Sequence, residues 1–160
     1  MSLEIERKFL VDGDFKTLST GHDCIRQGYI FNAGGRSVRV RQRGERGYLT
    51  IKGPVLADGI SRYEFEKEID LQESKELMLL CEPGIIDKVR WIVPFDNHVF
   101  EVDEFFGENA GLVVAEVELK SPEESVCFPP FIGREVTGDR RYYNGSLRRY
   151  PYQMWKDTVK

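Results

Sequence analysis

The sequence predicts a mainly β chain (α+β) in which about eight antiparallel strands close into a barrel around a charged interior, with a few flanking helices. Three observations predict it. A two-residue alternation of charged and apolar side chains recurs along the chain, turn signals separate the runs, and helical periodicity is scarce. Alternation with period two marks strands, because successive side chains point to opposite faces of a sheet.

Glu4-Ile5-Glu6 opens the first strand, expected over about 3–12, and a short helix is expected near 13–20. The second strand, about 23–32, ends at Asn32-Ala33-Gly34-Gly35, which reads as a hairpin turn and not a phosphate loop. Ser37-Val38-Arg39-Val40-Arg41 gives a third strand, about 36–44, and Arg43-Gly44-Glu45-Arg46-Gly47 turns into a fourth, about 47–53. Gly53-Pro54 stops it, and Glu64-Phe65-Glu66 marks a fifth strand, about 60–69. Asp70 then caps a helix running to about Glu82, with Glu73 three residues later as in a capping box. Leu77, Met78, Leu80 and Cys81 form its apolar stripe, and Pro83-Gly84 ends it. Lys88-Val89-Arg90-Trp91, Glu101-Val102-Asp103 and Glu116-Val117-Glu118-Leu119-Lys120 mark strands at about 85–94, 98–106 and 112–121. A last short helix is expected near 139–150, with Leu147 facing inward.

An open sheet with one solvated face also alternates. Here the polar face carries paired charges at i and i+2, strand after strand. Such pairs sit about 7 Å apart on one side of a strand. Like charges there need a group of opposite sign between them. Repetition of the pattern favours a closed barrel with a polar lumen.

The 160 residues suit one domain, 1–160. Hydrophobic residues at 41% and charged residues at 31% give an ordinary globular balance. A net charge of −4 argues against a nucleic-acid surface. No apolar stretch approaches the roughly 20 residues of a membrane span. The charged opening MSLEIERKFLV is no signal peptide, so the expected location is cytoplasmic. Cys24, Cys81 and Cys127 form no CxxC pair, and His22 and His98 stand alone, which disfavours a zinc site and leaves oxygen ligands for any metal. The aromatic tail Tyr150-Pro151-Tyr152-Gln153-Met154-Trp155 is expected to cover the barrel or a partner, and a homodimer is the expected assembly.

Two constellations carry chemistry. If the barrel brings the first and last strands together, Glu4, Glu6, Glu116 and Glu118 converge. Four carboxylates coexist only with protonation, basic partners or a divalent cation, and hard oxygen ligands suit Mg²⁺ or Mn²⁺. Lys8, Arg39, Arg41, Lys52, Lys88 and Arg90 occupy charge-bearing strand positions and could neutralise a short polyanion, the guanidinium groups as bidentate forks.

With these residues in order, the chain resembles the CYTH domain, or triphosphate tunnel metalloenzyme, family. Glu4-Ile5-Glu6-Arg7-Lys8-Phe9 carries its ExExK motif. The likeness runs on through Arg39-Val40-Arg41, Lys52, Glu64-Phe65-Glu66, Lys88-Val89-Arg90, Glu101-Val102-Asp103 and Glu116-Val117-Glu118. It closes with Glu135-Val136-Thr137 and Tyr143-Asn144-Gly145-Ser146-Leu147, as in a short bacterial-type member. The resemblance implies an antiparallel barrel whose tunnel holds a triphosphate on basic residues and a divalent metal on acidic ones. It implies metal on Glu4, Glu6, Glu116 and Glu118, and phosphate on Lys8, Arg39, Arg41, Lys52, Lys88 and Arg90. Asp103 and Glu64 would support these groups, and Arg134 is assigned no role. Short members pair the ExExK lysine with a second-strand tyrosine, which makes Lys8 and Tyr29 the expected catalytic unit. Crowding by other cations is expected to lower the pKa of Lys8. The leading expectation is hydrolysis of inorganic tripolyphosphate. The alternatives are adenylate cyclisation, nucleoside or thiamine triphosphate hydrolysis, and a non-catalytic barrel that binds polyphosphate or nucleotides.

Overall fold

The computed structural model describes residues 2–158. Its strands are β1 (Ser2–Val11), β2 (Gly21–Ala33), β3 (Arg36–Arg43), β4 (Arg46–Val55), β5 (Ser61–Ile69), β6 (Ile86–Phe95), β7 (His98–Phe105), β8 (Val113–Glu118) and β9 (Ile132–Glu135). All pair antiparallel in the order β5-β4-β3-β2-β6-β7-β8-β1. A β5–β1 pairing closes the ring, so eight strands form a barrel.

The ninth strand is the one the sequence reading lacks. Phe9 pairs with Ala115 of β8 and with Glu135 of β9, so β9 lies along the other edge of β1. Four residues, Ile132-Gly133-Arg134-Glu135, are too few to show an alternation. The free edge of β1, and not local pattern, makes them a strand.

Helix α1 (Leu71–Met78) begins with the expected capping box: the Asp70 side chain accepts from the Gln72 amide, and Glu73 reaches back to the Asp70 amide. It lies on β2–β4, and two glycines let the helix and the turn after it come close. A Cβ on Gly47 would fall 2.7 Å from the Ser74 Cβ, and one on Gly28 2.9 Å from the Cys81 Cβ. Leu77 and Met78 are half-buried against the barrel, whereas Leu80, expected in the apolar stripe, lies beyond the helix and is exposed. The helix expected near 13–20 is a run of turns. Asp14 accepts from the Thr17 amide and hydroxyl, the local side-chain bonding that competes with helix. Near 139–150 the chain makes a 3₁₀ turn at Arg140–Tyr142 and a short helix α2 (Asn144–Leu147), with Leu147 fully buried as expected.

One apolar layer lies outside the barrel. Phe9, Val93, Phe100, Val102 and Val117 pack with Phe15 and Phe131 from the covering segments. A second apolar cluster sits on the lumen face: Ile86, Phe105 and Val114 stand on the same side of their strands as Lys88, Asp103 and Glu116, and pack with Leu112, Tyr142 and Leu147. Tyr152 and Trp155 lie against that second cluster, so this part of the aromatic tail covers its own barrel. No helix is long and apolar enough to cross a membrane among the described residues.

Candidate active site

Charge inside the barrel is paired across neighbouring strands by register. Lys8 stands opposite Glu116, Lys52 opposite Glu64, Arg90 opposite Asp103 and Glu4 opposite Arg62. A cavity of about 870 Å³ runs among these side chains. Glu4, Glu6, Lys8, Tyr29, Arg39, Lys52, Lys88, Arg90 and Glu116 all line it. The sequence-derived set is thus brought together, with two exceptions. Arg41 is buried beside the cavity, donating to Glu66 Oε1 at 3.2 Å. Glu118 lines a second hollow of about 420 Å³ with His98, Glu101, Lys120 and Glu124, although its backbone faces Glu6 across β1 and β8.

Lys8 Nζ donates to Glu116 Oε1 at 3.0 Å. Burial works against its charge, but Glu116 and Glu6 outweigh burial and push the ammonium pKa up. The expected lowering by neighbouring cations does not occur, because the groups facing Lys8 are carboxylates. Among the described residues no hydrogen bond joins Lys8 to Tyr29. The ring near the Lys8 ammonium is that of Tyr143, with its centroid at 5.5 Å. Tyr29 is buried on the cavity wall, at the point where the β2–β3 register shifts.

The basic groups are held in two ways. Lys52 Nζ donates to both oxygens of Glu4, at 2.8 and 2.9 Å, and lies 3.5 Å from Glu64. Asp103 accepts a guanidinium fork from Arg90 at 2.8 and 2.9 Å and lies 2.7 Å from Lys88 Nζ. Burial alone would raise the Asp103 carboxyl, but Arg90 and Lys88 hold it below the ordinary range. Asp103 and Glu64 thus both contact basic groups that line the cavity. Burial pushes Lys88 down to about 8, with Arg90 adding to the effect. Arg39 donates to Thr50 Oγ1 at 3.2 Å and has no carboxylate partner among the described residues. Its Nε is buried without a partner. Arg134, on β9, is exposed and outside the cavity.

The acidic groups are less balanced. Burial, then Glu116 and Glu4, drive the Glu6 carboxyl well above its ordinary range. Glu116 is held well below it, because Lys8 and Arg90 overcome burial. Glu64 is pushed up to about 7 by burial and by Glu4. Glu4 and Glu116 answer lysines, while Glu6 faces two other carboxylates. A buried carboxylate so placed is relieved by an added cation. The donors are all oxygens, which suits a hard divalent ion. Among the described residues no three of them already form a metal-ligating cluster.

Lining residues outside the expected set include Arg62, Thr137, Tyr143 and Asn144. Arg62 is held by the backbone carbonyls of Gly53 and Gly35. Thr137 accepts from the Lys8 amide at 2.9 Å and ties the segment after β9 to β1. Tyr143-Asn144-Gly145 shows no alternation, and only its place in the fold brings it to the cavity.

The CYTH domain family profile matches residues 2–144. Over 161 aligned residues the chain is 50% identical to an inorganic triphosphatase of Acetivibrio thermocellus, covering 98% of this chain and 100% of that protein. It is 36% identical over 152 residues to an inorganic triphosphatase of Nitrosomonas europaea, covering 90% and 95%. A crystal structure of an inorganic triphosphatase superposes with a TM-score of 0.61 at 32% identity, over 92% of this chain and 95% of that one. Matched along nearly its whole length, with the motif charges gathered in one barrel, the chain belongs to the CYTH domain family.

Proposed function

We propose that this chain hydrolyses inorganic tripolyphosphate to pyrophosphate and phosphate inside the barrel, with a divalent metal ion, Mg²⁺ or Mn²⁺. The observation that carries the reading is the convergence of Lys8, Arg39, Lys52, Lys88 and Arg90 with Glu4, Glu6 and Glu116 on one cavity. The names of the two relatives support the choice of substrate. Triphosphatases of this family depend on a metal ion.

Water attacks a terminal phosphorus, the bridging P–O bond breaks, and pyrophosphate leaves with the bond's electrons. Charge develops on non-bridging and leaving oxygens, so positioned cations do most of the work. Lys8, Arg39, Lys52, Lys88 and Arg90 grip the phosphoryl groups, and Arg41 backs them from beside the cavity. Lys8 contributes a fixed charge, kept protonated by Glu116 and Glu6. Tyr29 orients the attacking water and takes its proton. Glu4, Glu6, Glu116 and Glu118 would hold the metal, which when bound supplies further positive charge against the substrate.

The test is to incubate the pure protein and Mg²⁺ with tripolyphosphate, ATP or thiamine triphosphate. Phosphate and pyrophosphate from tripolyphosphate are expected. Cyclic AMP from ATP would make the barrel a cyclase, and binding without any product would make it a sequestering protein.

A further inference from the structure

Asn144 belongs to neither the acidic nor the basic set, yet it touches the phosphate site directly. Its Oδ1 accepts from Lys88 Nζ at 3.0 Å and from Gln27 Nε2 at 3.0 Å. An amide oxygen has two lone pairs, so both are used. Gln27 is fully buried, which makes this end of the carboxamide immobile. Lys88 is held on its other side by Asp103 at 2.7 Å. Two of its three ammonium protons are thus committed, and one remains for a ligand.

The other end of Asn144 is free. It lines the cavity, and its Nδ2 donates to no acceptor among the described residues. Nor is that nitrogen among the buried polar atoms left without a partner, so it meets the open space of the cavity. The next position is constrained as well. A Cβ on Gly145 would fall 2.0 Å from Asn32 Nδ2, and Asn32 is another lining residue. The turn is pressed onto β2 closely enough to fix where Asn144 stands.

We infer that Asn144 is a substrate-binding residue: Lys88 and Gln27 fix its carboxamide, and its Nδ2 donates to a phosphoryl oxygen beside the one that Lys88 grips. The inference rests on the triphosphatase reading and deepens it, by giving the segment after β9 a direct part in the site. A neutral donor adds direction without adding charge beside Lys88 and Arg90, whose cations already crowd that wall.

Asn144→Asp is the discriminating variant. It keeps the shape and the acceptor for Lys88 and Gln27, but puts a carboxylate oxygen where the donor was. The KM for tripolyphosphate should rise at least about tenfold, as when a hydrogen bond to a charged group is lost. The melting temperature should hold, and kcat should fall less than KM rises. Asn144→Ala, its fold checked by the same melting curve, should also raise KM and serves if the aspartate variant is unstable. A wild-type KM in either folded variant would overturn the inference while wild-type activity kept the triphosphatase reading intact. No hydrolysis of tripolyphosphate by the wild type would instead overturn the reading beneath it.

Discussion

Lys8 and Glu116 face each other in the β1–β8 register and form an ion pair at 3.0 Å, each side chain only 10% exposed. Each explains the other's state. Glu116 stays ionised because Lys8 is there, and Lys8 stays protonated because Glu116 and Glu6 are there. A pair this enclosed tolerates loss of a partner poorly, since the remaining charge is left uncompensated.

Glu116→Gln should therefore cost turnover at least about a hundredfold, the scale of a lost electrostatic stabiliser in an active site. Glu118→Gln should cost less, because Glu118 is more exposed and lines the smaller hollow. Turnover measured across a Mg²⁺ titration separates the two variants. Unchanged turnover of Glu116→Gln at low Mg²⁺ would remove the metal from this carboxylate set.

Substrate grip should divide along the same line between cavity and wall. Arg39 lines the cavity without a carboxylate partner, whereas Arg41 is tied to Glu66. Burial, with Arg39 and Arg90 nearby, pushes Arg41 down to about 9, which leaves it charged at neutral pH. Arg39→Ala should weaken tripolyphosphate binding by about 1.5–3 kcal/mol, as for hydrogen bonds to charged groups. Arg41→Ala should weaken it less. Calorimetry with both variants decides this, and equal losses would put Arg41 in direct contact with phosphate. Pyrophosphate should compete poorly in a site built to span three phosphates.

The eight barrel strands were legible because most carry their own alternation, as in Arg39-Val40-Arg41, and turn signals bound the second and fourth. The helix at 71–78 was legible from its capping box. What could not be read depends on contacts distant in sequence. The direct pairing of Lys8 with Glu116, 108 positions away, depends on the barrel register, and without it the direction of the Lys8 shift came out reversed. Nothing in Ile132–Glu135 announces a strand until the edge of β1 is available. Asn144 and Tyr143 enter the site through a segment without periodicity, so the resemblance marked the segment but the pattern assigned these two residues no role.

Lys88 links the site to pH. Its ammonium is pushed down to about 8 from an ordinary 10.5. Between those values the unfolded chain binds more protons, so burying Lys88 costs stability below pH 8 and the cost fades as pH rises. A bound triphosphate reverses the balance by supplying opposite charge, and the group takes its proton back. Binding at pH 9 should therefore take up as much as about one proton, and binding at pH 6.5 none through this group. Calorimetry in buffers of different ionisation enthalpy reads that number directly. Equal uptake by wild type and Lys88→Met at pH 9 would assign the proton elsewhere.

Tyr29 separates catalysis from packing. Its ring is buried, the Arg148 guanidinium lies 5.9 Å from the ring centre, and its carbonyl accepts from the Glu82 amide at 2.8 Å. Those contacts need only the ring and the backbone, so a packing role predicts that Tyr29→Phe is silent. The hydroxyl tells the other story. Tyr29 lines the cavity beside the register shift of β2, and such irregularities often re-aim a side chain at an active site. No histidine lines that cavity among the described residues, which leaves few groups to handle the water proton. Tyr29→Phe should then cut kcat by about 10²–10⁴, the usual worth of a general base, with tripolyphosphate affinity nearly unchanged. Lys8→Met should damage both, because its charge serves binding and the transition state alike. The pH–rate profiles of wild type and Tyr29→Phe should differ in shape if the hydroxyl handles the water proton. Full turnover of Tyr29→Phe above pH 8 would return Tyr29 to the barrel wall and move proton transfer towards Glu116.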